Sequence, residues 1–324
     1  MVQPQTNPRG FAPSVSIASA ILDEAAVLPE FLQRCCAVLD SLPGSGHELV
    51  LVDDGSMDGS DEILSEAANR DERIQVLVLS RNFGHQRALR CALEHSTGDV
   101  VVLLDSDLQD PPEEIPRMLE EWQAGYDVVY ARRTARKESF LLRSAYFVFY
   151  RLIALQSTVK LPLDAGDFSL MSRQVVNAIE SAPERHRYLR GLRAWVGFRQ
   201  KGIDVERAAR STGQSKYTAL RLLALAGDGL FAFSTFPLRA ATTLGCVALL
   251  LSSAFGAYSV LAKIFFDQSP RGFTALILAI VFLSGTQLLF LGVIGEYLGR
   301  VYDEVKARPP YLIAQRFGSR SKET

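Results

Sequence analysis

Two long stretches without a charged residue limit most strongly what this chain of 324 residues can fold into. Residues 242–262 and 273–295 contain no Asp, Glu, Lys or Arg, and a short polar turn separates them. Each stretch has about the 20 residues that a helix needs to cross the hydrocarbon core of a bilayer. Soluble helices rarely lack charge over such a length. The pattern predicts a transmembrane hairpin of two helices within residues 236–300, and a pair of buried core helices is the alternative.

The residues around these stretches predict on which side of the membrane each end of the chain lies. Residues 1–13 form a polar tail that is rich in proline and lacks the apolar core of a signal peptide. Lys263 and Arg271 are the only basic residues in the turn of the hairpin. A larger number of basic residues lies on its outer flanks, as the positive-inside rule requires. We therefore expect a multi-pass protein of the inner (plasma) membrane with both termini, including a tail of residues 301–324, in the cytoplasm.

The part of the chain before the hairpin alternates between short apolar runs and segments with helical spacing. The apolar runs are typical of buried parallel strands, and the other segments place apolar residues three and four positions apart. Strands are predicted over residues 15–22, 48–52, 74–79, 100–104 and 127–130, and helices over residues 24–39, 58–69, 86–95 and 113–122. Such alternation indicates an α/β domain with a mostly parallel sheet, which we assign to residues 14–219.

Acidic residues follow several of the predicted strands. The second strand runs into Asp53 and Asp54, and the fourth runs into Asp105 and Asp107. In open parallel sheets the ligand site lies beyond the carboxyl ends of the strands, so these side chains are expected at one edge. A tight turn would aim Asp105 and Asp107 at one hard cation, Mg2+ or Mn2+. Helix capping is an alternative for Asp53 or Asp58 taken singly, but it explains the whole set poorly.

Composition and missing motifs exclude other classes of function. Lys plus Arg number 35 and Asp plus Glu number 36, and a net charge of -1 argues against a nucleic-acid binder that works by bulk charge. The absence of GxGxxG and GxxxxGK[ST] disfavours a dinucleotide oxidoreductase and a P-loop phosphotransferase. The 4 cysteines form no CxxC pair and are expected to be idle thiols. Four histidines show no metal-ligand spacing and are interpreted as structural or surface residues: His47, His85, His95 and His186.

Two further segments indicate contact with a membrane surface. The segment of residues 138–155 is apolar and aromatic from Phe140 onward, with Arg143 and Arg151 as interruptions, and residues 220–235 form a second apolar segment that Asp228 breaks. Such segments are typical of helices that lie in the membrane interface with their charged ends in water. Ordinary amphipathic packing against the sheet is the alternative.

Several motifs together resemble the glycosyltransferases of family 2, which have the Rossmann-like GT-A fold. In the first half they are Asp23-Glu24, Asp53-Asp54-Gly55-Ser56, Arg81-Asn82-Phe83-Gly84 and the segment from Asp105 to Pro111. Residues 164–171, 210–217 and 295–300 narrow the resemblance to polyprenyl-phosphate glycosyltransferases, bacterial relatives of dolichol-phosphate mannose synthase. Within that group the chain is most similar to the undecaprenyl-phosphate glucosyltransferases. Ala20 departs from the pattern, since many relatives have proline there.

The resemblance implies a role for each matching position. The nucleotide sugar would be bound by Asp23, Glu24, Asp53, Asp54 and Arg81. The metal ion would be held by Asp105, Asp107 and Gln109. The phosphate of the lipid acceptor would be bound by Arg207, Arg210, Ser215 and Lys216, and Asp167 would lie close to the reacting sugar as the catalytic residue. The relatives also suggest a homotetramer.

The chemistry of such a transfer suits these residue types. Breaking a sugar–diphosphate bond builds negative charge on the leaving phosphate, which a divalent cation neutralises. Arginine and lysine suit an acceptor phosphate. A phosphate monoester, with a second pKa of about 6, is mostly dianionic at neutral pH and needs no strong base. Asp167 is therefore interpreted as an orienting residue or weak base, with a structural turn acid after Gly166 as the alternative.

The sequence thus predicts an inverting, metal-dependent enzyme that moves one sugar from a nucleotide sugar to polyprenyl phosphate at the cytoplasmic membrane face. Glucose, UDP-glucose and undecaprenyl phosphate are expected, because residues 164–171 are most similar to the glucosyl members. Aminoarabinose, an N-acetylhexosamine and mannose are the alternative sugars. The absence of a QxxRW motif disfavours a processive polysaccharide synthase. The complete set of Asp105, Asp107, Arg210 and Lys216 disfavours a non-catalytic, lipid-binding partner of a flippase.

Overall fold

An eight-stranded sheet lies at the centre of the larger of two structural units. The structure, a computed structural model, describes residues 9–133, 165–182, 189–206, 236–266 and 272–318. The strands follow the order β7-β5-β6-β4-β1-β2-β3-β8 across the sheet. They are β1 Val15–Ile21, β2 Glu48–Asp53, β3 Ile74–Leu79, β4 Val100–Leu103, β5 Val128–Arg133, β6 Ala165–Ser172, β7 Gln200–Val205 and β8 Ile313–Phe317.

Helices cover both faces of this sheet, which makes it the middle of three layers. The described helices are α1 Leu28–Ser41, α2 Ser60–Arg70, α3 His85–His95, α4 Ile115–Gln123, α5 Arg173–Glu180, α6 Leu189–Trp195, α7 Phe236–Phe266 and α8 Phe273–Lys306. On one face, α1, α2 and α4 bury residues such as Phe31, Leu64 and Trp122. On the other face, α3, α5 and α6 bury residues such as Leu89 and Val176. Burial on both faces explains why the central strands are continuous apolar runs.

The α/β architecture with a mostly parallel sheet is confirmed. Each strand and helix predicted between residues 15 and 130 corresponds to an observed element, although the helix predicted from residue 24 begins at Leu28. Two strands, β6 and β8, run antiparallel to their neighbours, and neither of them was predicted, nor was β7. β6 contains Asp167, Ser169 and Ser172, whose polar side chains interrupt the apolar run that marks a central strand.

The smaller unit contains two long helices, α7 with 31 residues and α8 with 34. They pack against each other, since a Cβ at Gly245 would lie 3.4 Å from the ring of Phe290. In the described part of the chain, Phe282–Lys306 is long and apolar enough to cross a membrane, and Thr243–Tyr258 is a shorter apolar helix. The hairpin with two spans therefore stays a prediction. The expected interfacial helices at residues 138–155 and 220–235 lie outside the described residues.

The segment expected as a C-terminal tail contains regular structure. Helix α8 continues to Lys306, past the predicted end of the hairpin at residue 300. Strand β8 then pairs with β3, with Val76 opposite Phe317. The hydroxyl of Tyr311 donates a hydrogen bond to Glu94 on α3. The chain after α8 thus closes the β3 edge of the sheet that the first half of the chain builds.

The described end of the expected N-terminal tail also lies against folded structure. Arg9 donates hydrogen bonds to the carbonyl oxygens of Trp122 at 3.1 Å and Tyr126 at 3.0 Å. Its guanidinium lies 4.4 Å from the ring centroid of Trp122, and Phe11 packs edge-on against the same ring. Residues 9–11 therefore cover the end of α4.

Candidate active site

The candidate site lies where the order of the strands reverses. From β1 the chain moves outward through β2 to β3 on one side, and α3 then carries it back to β4 on the other side of β1. In an open α/β sheet, such a switch point leaves a crevice outside the carboxyl ends of the strands. The loops after β1, β2, β3 and β4 therefore converge on one edge.

The residues after β2 are buried and bind the loop that follows β3. Asp53 is 1% exposed and accepts hydrogen bonds from the backbone N–H and the hydroxyl of Ser56. Asp54 is also 1% exposed, and its two oxygens accept the backbone N–H groups of Phe83 at 2.7 Å and Gly84 at 2.9 Å. Burial raises the pKa of both aspartates, although these hydrogen bonds oppose the rise.

Asp23 and Glu24 follow β1 at the same edge. The carboxylate of Asp23 accepts the N–H of Met57 at 2.9 Å, and its own N–H donates to the hydroxyl of Ser56 at 3.0 Å. The N–H of Glu24 donates to the hydroxyl of Ser60 at 3.2 Å. These bonds join the loops after β1 and β2, so both loops form one surface.

Arg81 lies on the exposed side of the loop after β3. Its guanidinium stacks 4.0 Å from the ring centroid of Phe83 and donates to the carbonyl oxygen of Asn82 at 2.9 Å. Gly55 has a φ of +79°, and a Cβ there would come within 2.9 Å of the Arg81 backbone. Glycine is therefore required at this position, because it alone allows the loops after β2 and β3 to touch.

The turn from Asp105 to Asp107 directly follows β4. Asp107 accepts the N–H of Gln109 at 3.1 Å, and the hydroxyl of Ser106 donates to the carbonyl oxygen of Ala20 at 3.2 Å, which fastens the turn to β1. The Oδ1 atom of Asp105 is buried and accepts no hydrogen bond within the described residues. Since a buried carboxylate oxygen without a partner is costly, this atom fits a ligand position for a hard cation.

Asp167 lies beside Asp105 on the neighbouring strand. β4 pairs with β6 so that Leu103 is opposite Ser169, and the same register brings residue 105 opposite residue 167. The two oxygens of Asp167 accept Nε and Nη2 of Arg190 at 2.6 Å and 2.5 Å. Burial alone would raise the pKa of Asp167, but the Arg190 fork outweighs it and lowers the pKa below its usual value. Asp167 is thus an ionised carboxylate.

His85, the first residue of α3, lies close to both aspartates. Its Nε2 is 3.4 Å from Oδ1 of Asp105, and ligand atoms of His85, Asp105 and Asp167 all lie within 4.8 Å of one another. The side chain of His85 is 47% exposed, so its partial burial opposes the charged imidazole only in part, and Asp105 and Asp167 raise its pKa. His85 is exposed, in agreement with its interpretation as a surface residue, but the sequence did not predict that it lies among the carboxylates of the candidate site. The sequence contained one signal for this position, because His85 directly follows the motif of residues 81–84 at the end of β3.

Arg190 is the other site residue that sequence reasoning missed. It lies on α6, which is attached to β6 by a hydrogen bond of 3.2 Å from Arg193 to the carbonyl oxygen of Gly166. The N–H of Leu189 donates to the side chain of Gln86 on α3 at 3.2 Å, which fixes the start of the helix. The pairing of β4 with β6 and the contact with α3 together bring Arg190 to this edge, and no local motif marks it.

Comparison with known proteins identifies the family. The profile of Glycosyl transferase family 2 matches residues 16–179, which cover the sheet from β1 through β6. A glycosyltransferase from Synechocystis sp. named as uncharacterized is 41% identical over 94% of this chain and 96% of its own length. The chain belongs to glycosyltransferase family 2. It is a glycosyltransferase with the GT-A fold.

Two relatives of this family 2 glycosyltransferase have specific names. The bactoprenol glucosyl transferase of Shigella phage SfX is 39% identical over 93% of this chain and 99% of its own length. The undecaprenyl-phosphate 4-deoxy-4-formamido-L-arabinose transferase of Klebsiella pneumoniae is 36% identical over 92% of each chain. Matches of this extent include most of α7 and α8. A solved mannosyltransferase from Pyrobaculum calidifontis, in complex with GDP-Man and Mn2+, has a TM-score of 0.46 at 15% identity over 89% of this chain and 90% of its own.

The structure of this family 2 glycosyltransferase brings most of the sequence-predicted site positions to one edge of the sheet. They are Asp23, Glu24, Asp53, Asp54, Arg81, Asp105, Asp107, Gln109 and Asp167. The predicted acceptor residues lie outside the described part of the chain: Arg207, Arg210, Ser215 and Lys216.

Proposed function

We propose that this enzyme transfers glucose from UDP-glucose to undecaprenyl phosphate, with inversion at the anomeric carbon. The observation that carries the proposal is the convergence of the Asp105–Asp107 turn with the Asp167–Arg190 pair at the switch point of the sheet. Carboxylates for a cation and an arginine at one edge suit a reaction between two phosphorylated substrates. The similarity to a bactoprenol glucosyl transferase over nearly the whole chain supports the same sugar and the same class of acceptor.

The nucleotide end of the donor is proposed to bind at the loops after β1, β2 and β3. Asp23, Glu24 and Asp53 would accept hydrogen bonds from the uracil and ribose, since carboxylates are strong acceptors. Arg81, which is exposed at the same edge, would supply positive charge next to the nucleotide. Asp54 uses both oxygens to hold the N–H groups after Asn82, so we propose that it also fixes the loop that carries Arg81.

The donor diphosphate is proposed to bind through a divalent cation. Asp105 and Asp107 would hold the ion, with Gln109 as a further contact, and the buried Oδ1 of Asp105 without a hydrogen bond in the described residues supports this choice. Hard cations such as Mg2+ and Mn2+ favour carboxylate oxygens. When bound, such an ion neutralises the negative charge that develops on the leaving diphosphate.

The acceptor phosphate is proposed to act as the nucleophile without a strong base. One of its oxygens bonds to the anomeric carbon while the bond from that carbon to the diphosphate oxygen breaks, which yields glucosyl phosphoryl undecaprenol and UDP. Attack from the face opposite the leaving group inverts the configuration. Because Arg190 holds both oxygens of Asp167, we propose that Asp167 orients the groups around the reacting sugar and takes up no proton.

Four basic or hydroxyl residues are proposed to bind the acceptor phosphate: Arg207, Arg210, Ser215 and Lys216. They precede α7 in the chain. Charge-assisted hydrogen bonds from arginine and lysine are well suited to a phosphate headgroup.

The long helices are proposed to hold the enzyme in the inner membrane. Large apolar side chains along α7 and α8 are exposed, including Leu250 at 70%, Phe265 at 71% and Leu288 at 70%. Exposed apolar surface of this extent would be covered by lipid tails. We propose a hairpin of two spans, with the sheet on the cytoplasmic side. The homotetramer expected from the resemblance remains a prediction.

A second candidate donor carries 4-deoxy-4-formamido-L-arabinose. The observation that favours it is the relative of that name, which is 36% identical over 92% of the chain. The following experiment distinguishes glucosyl transfer from the same reaction with an N-acetylhexosamine or mannose. It also distinguishes an enzyme from a non-catalytic partner of a flippase.

Purified full-length enzyme in detergent would be incubated with undecaprenyl phosphate, Mn2+ and one labelled donor at a time. The donors are UDP-glucose, UDP-4-deoxy-4-formamido-L-arabinose, UDP-N-acetylglucosamine and GDP-mannose. We expect UDP-glucose to give the highest kcat/KM, with the glycolipid product identified by mass spectrometry. Asp105→Asn should lower the rate on the order of a hundredfold, because neutralisation of the leaving diphosphate is lost.

The matched control is Glu66→Gln, which removes an exposed carboxylate on α2 and should leave the rate unchanged. A higher kcat/KM with another donor would mean that the transferred sugar is not glucose, while the proposed transfer to undecaprenyl phosphate would stand. The absence of any glycolipid with all four donors would overturn the proposed acceptor and favour the lipid-binding partner.

A further inference from the structure

His85 is held at a fixed position next to the turn after β4. The loop before it is anchored by Asp54, which accepts the N–H groups of Phe83 and Gly84 at 2.7 Å and 2.9 Å. Gly84 has a φ of +100°, which favours glycine and lets the chain turn directly into α3. A buried carboxylate therefore sets where α3 begins and brings the imidazole of His85 to Asp105.

The separation of His85 from Asp105 is compatible with two ligands of one ion. Nε2 and Oδ1 are 3.4 Å apart, and Oδ1 accepts no hydrogen bond within the described residues. An N–H···O hydrogen bond is about 2.7–3.2 Å long. Two ligand atoms about 2.1 Å from one octahedral cation lie about 3 Å apart, so Nε2 and Oδ1 are within a few tenths of an ångström of the separation that a shared Mg2+ or Mn2+ ion would need.

Asp167 is the third member of this cluster, but it has a different partner. Both of its oxygens are bound by Arg190, at 2.6 Å and 2.5 Å. A cation that bound Asp167 would have to displace this fork and face the guanidinium charge. The cluster therefore divides into His85 with Asp105 on one side and Asp167 with Arg190 on the other.

We propose that Nε2 of His85 is a direct ligand of the divalent cation that Asp105 binds. The inference rests on the proposed metal-dependent transfer and adds one nitrogen to the oxygens of Asp105 and Asp107. An imidazole ligand strengthens the binding of first-row transition ions more than that of Mg2+, because it is a softer donor than a carboxylate. The site should therefore select Mn2+ over Mg2+ at equal concentrations.

The experiment detects the nitrogen directly by pulsed electron paramagnetic resonance. Full-length enzyme, purified in detergent with an affinity tag that lacks histidine, is loaded with Mn2+ in the presence of UDP. We expect a coupling between Mn2+ and a directly bound 14N nucleus. Growth on [15N]histidine should change the coupling to that of 15N, and this measurement needs no substitution.

His85→Gln should remove the coupling and weaken Mn2+ binding by about tenfold or more while the Tm stays close to that of the parent. The matched control is His95→Gln at the other end of α3, where His95 bonds to the carbonyl oxygen of Cys91 at 2.8 Å. This variant should keep both the coupling and the Mn2+ affinity.

The outcomes separate the inference from the function on which it rests. Bound Mn2+ without a histidine nitrogen coupling in the parent overturns the role of His85 and leaves metal-dependent transfer intact. A nitrogen coupling that persists in His85→Gln likewise overturns the role of His85 and leaves metal-dependent transfer intact. A parent enzyme that binds no Mn2+ with UDP, and that transfers glucose at full rate in excess chelator, overturns both.

Discussion

The pair of Asp167 and Arg190 brings two opposite charges together at the candidate site. The side chain of Asp167 is 7% exposed and that of Arg190 is 30% exposed, and both carboxylate oxygens are bound. Removing one partner of such a pair leaves the other charge uncompensated, whereas removing both does not. Since β6 supplies Asp167 and α6 supplies Arg190, the pair also fastens that helix to the sheet.

Arg190→Met should therefore destabilise the protein more than the double variant Asp167→Asn/Arg190→Met. The single variant leaves a buried, ionised Asp167 without its fork, at a cost of about 3 kcal/mol. For a unit of this size, 1 kcal/mol corresponds to a fall in Tm of about 2–4 °C. The double variant should recover most of the stability that Arg190→Met loses, because the asparagine side chain at position 167 is neutral. Scanning fluorimetry of the purified full-length protein measures both values.

A surface pair provides the control for this comparison. Arg70 bonds to Glu66 at 2.8 Å one helical turn away, and the two side chains are 78% and 66% exposed. Such a pair contributes about 0–1 kcal/mol, so Arg70→Met should leave the Tm nearly unchanged. Equal Tm values for the single and double variants at residues 167 and 190 would contradict the electrostatic role of the fork.

At the residue scale, the sequence indicated the acids of the candidate site but neither Arg190, which binds Asp167, nor His85, which lies beside Asp105. Asp53, Asp54, Asp105 and Asp107 follow apolar strands, and parallel strands bring their carboxyl ends to one edge. Arg190 follows no strand and reaches the site through long-range strand pairing, which a local pattern does not encode. His85 also lies close to the carboxyl end of a parallel strand, as the aspartates do. It was interpreted differently because the four histidines of the sequence show no metal-ligand spacing.

At the scale of elements, the last strand is the least expected part of the sheet. β8 pairs with β3, and the N–H of Ser80 donates to the carbonyl oxygen of Leu312 at 2.9 Å. The polar residues Gln315 and Arg316 give β8 no apolar alternation, so the sequence alone did not predict it. Without β8, β3 would be an open edge strand next to the loop that carries Arg81.

Gly318→Ala should loosen this edge. Gly318 has a φ of +108°, and a Cβ there would lie 2.5 Å from the carbonyl oxygen of Ile74. Both the backbone conformation and the available space require glycine at this position. We therefore expect the substitution to lower the free energy of unfolding by about 1 kcal/mol or more. Hydrogen exchange followed by mass spectrometry should show faster exchange of the β3 and β8 amides.

Gly10→Ala is the control for this substitution, since a Cβ at Gly10 meets nothing within 4 Å. Its exchange pattern should match that of the parent. Unchanged exchange at β3 in Gly318→Ala would mean that the end of β8 adjusts without affecting the pairing of β8 with β3.

At the scale of the whole molecule, β8 bears directly on membrane topology. β3 lies before α7 and α8 in the chain and β8 lies after them, yet both belong to one sheet. Two strands of one sheet must lie on the same side of a bilayer. The chain between β3 and β8 therefore crosses an even number of times if it crosses at all. This argument is independent of the distribution of basic residues.

A reporter fusion tests the two proposed spans. Alkaline phosphatase, which is active only outside the cytoplasm, should be inactive when fused after Thr324 and active when inserted in the turn at residues 267–271. A fluorescent protein that matures only in the cytoplasm should give the opposite pattern at the same two positions. The physical reason is that residues 242–262 and 273–295 carry no charge and each has the length of one span, while the pairing of β3 with β8 requires an even total. Phosphatase activity after Thr324 would contradict the hairpin, and cytoplasmic fluorescence at both positions would show that neither helix crosses the membrane.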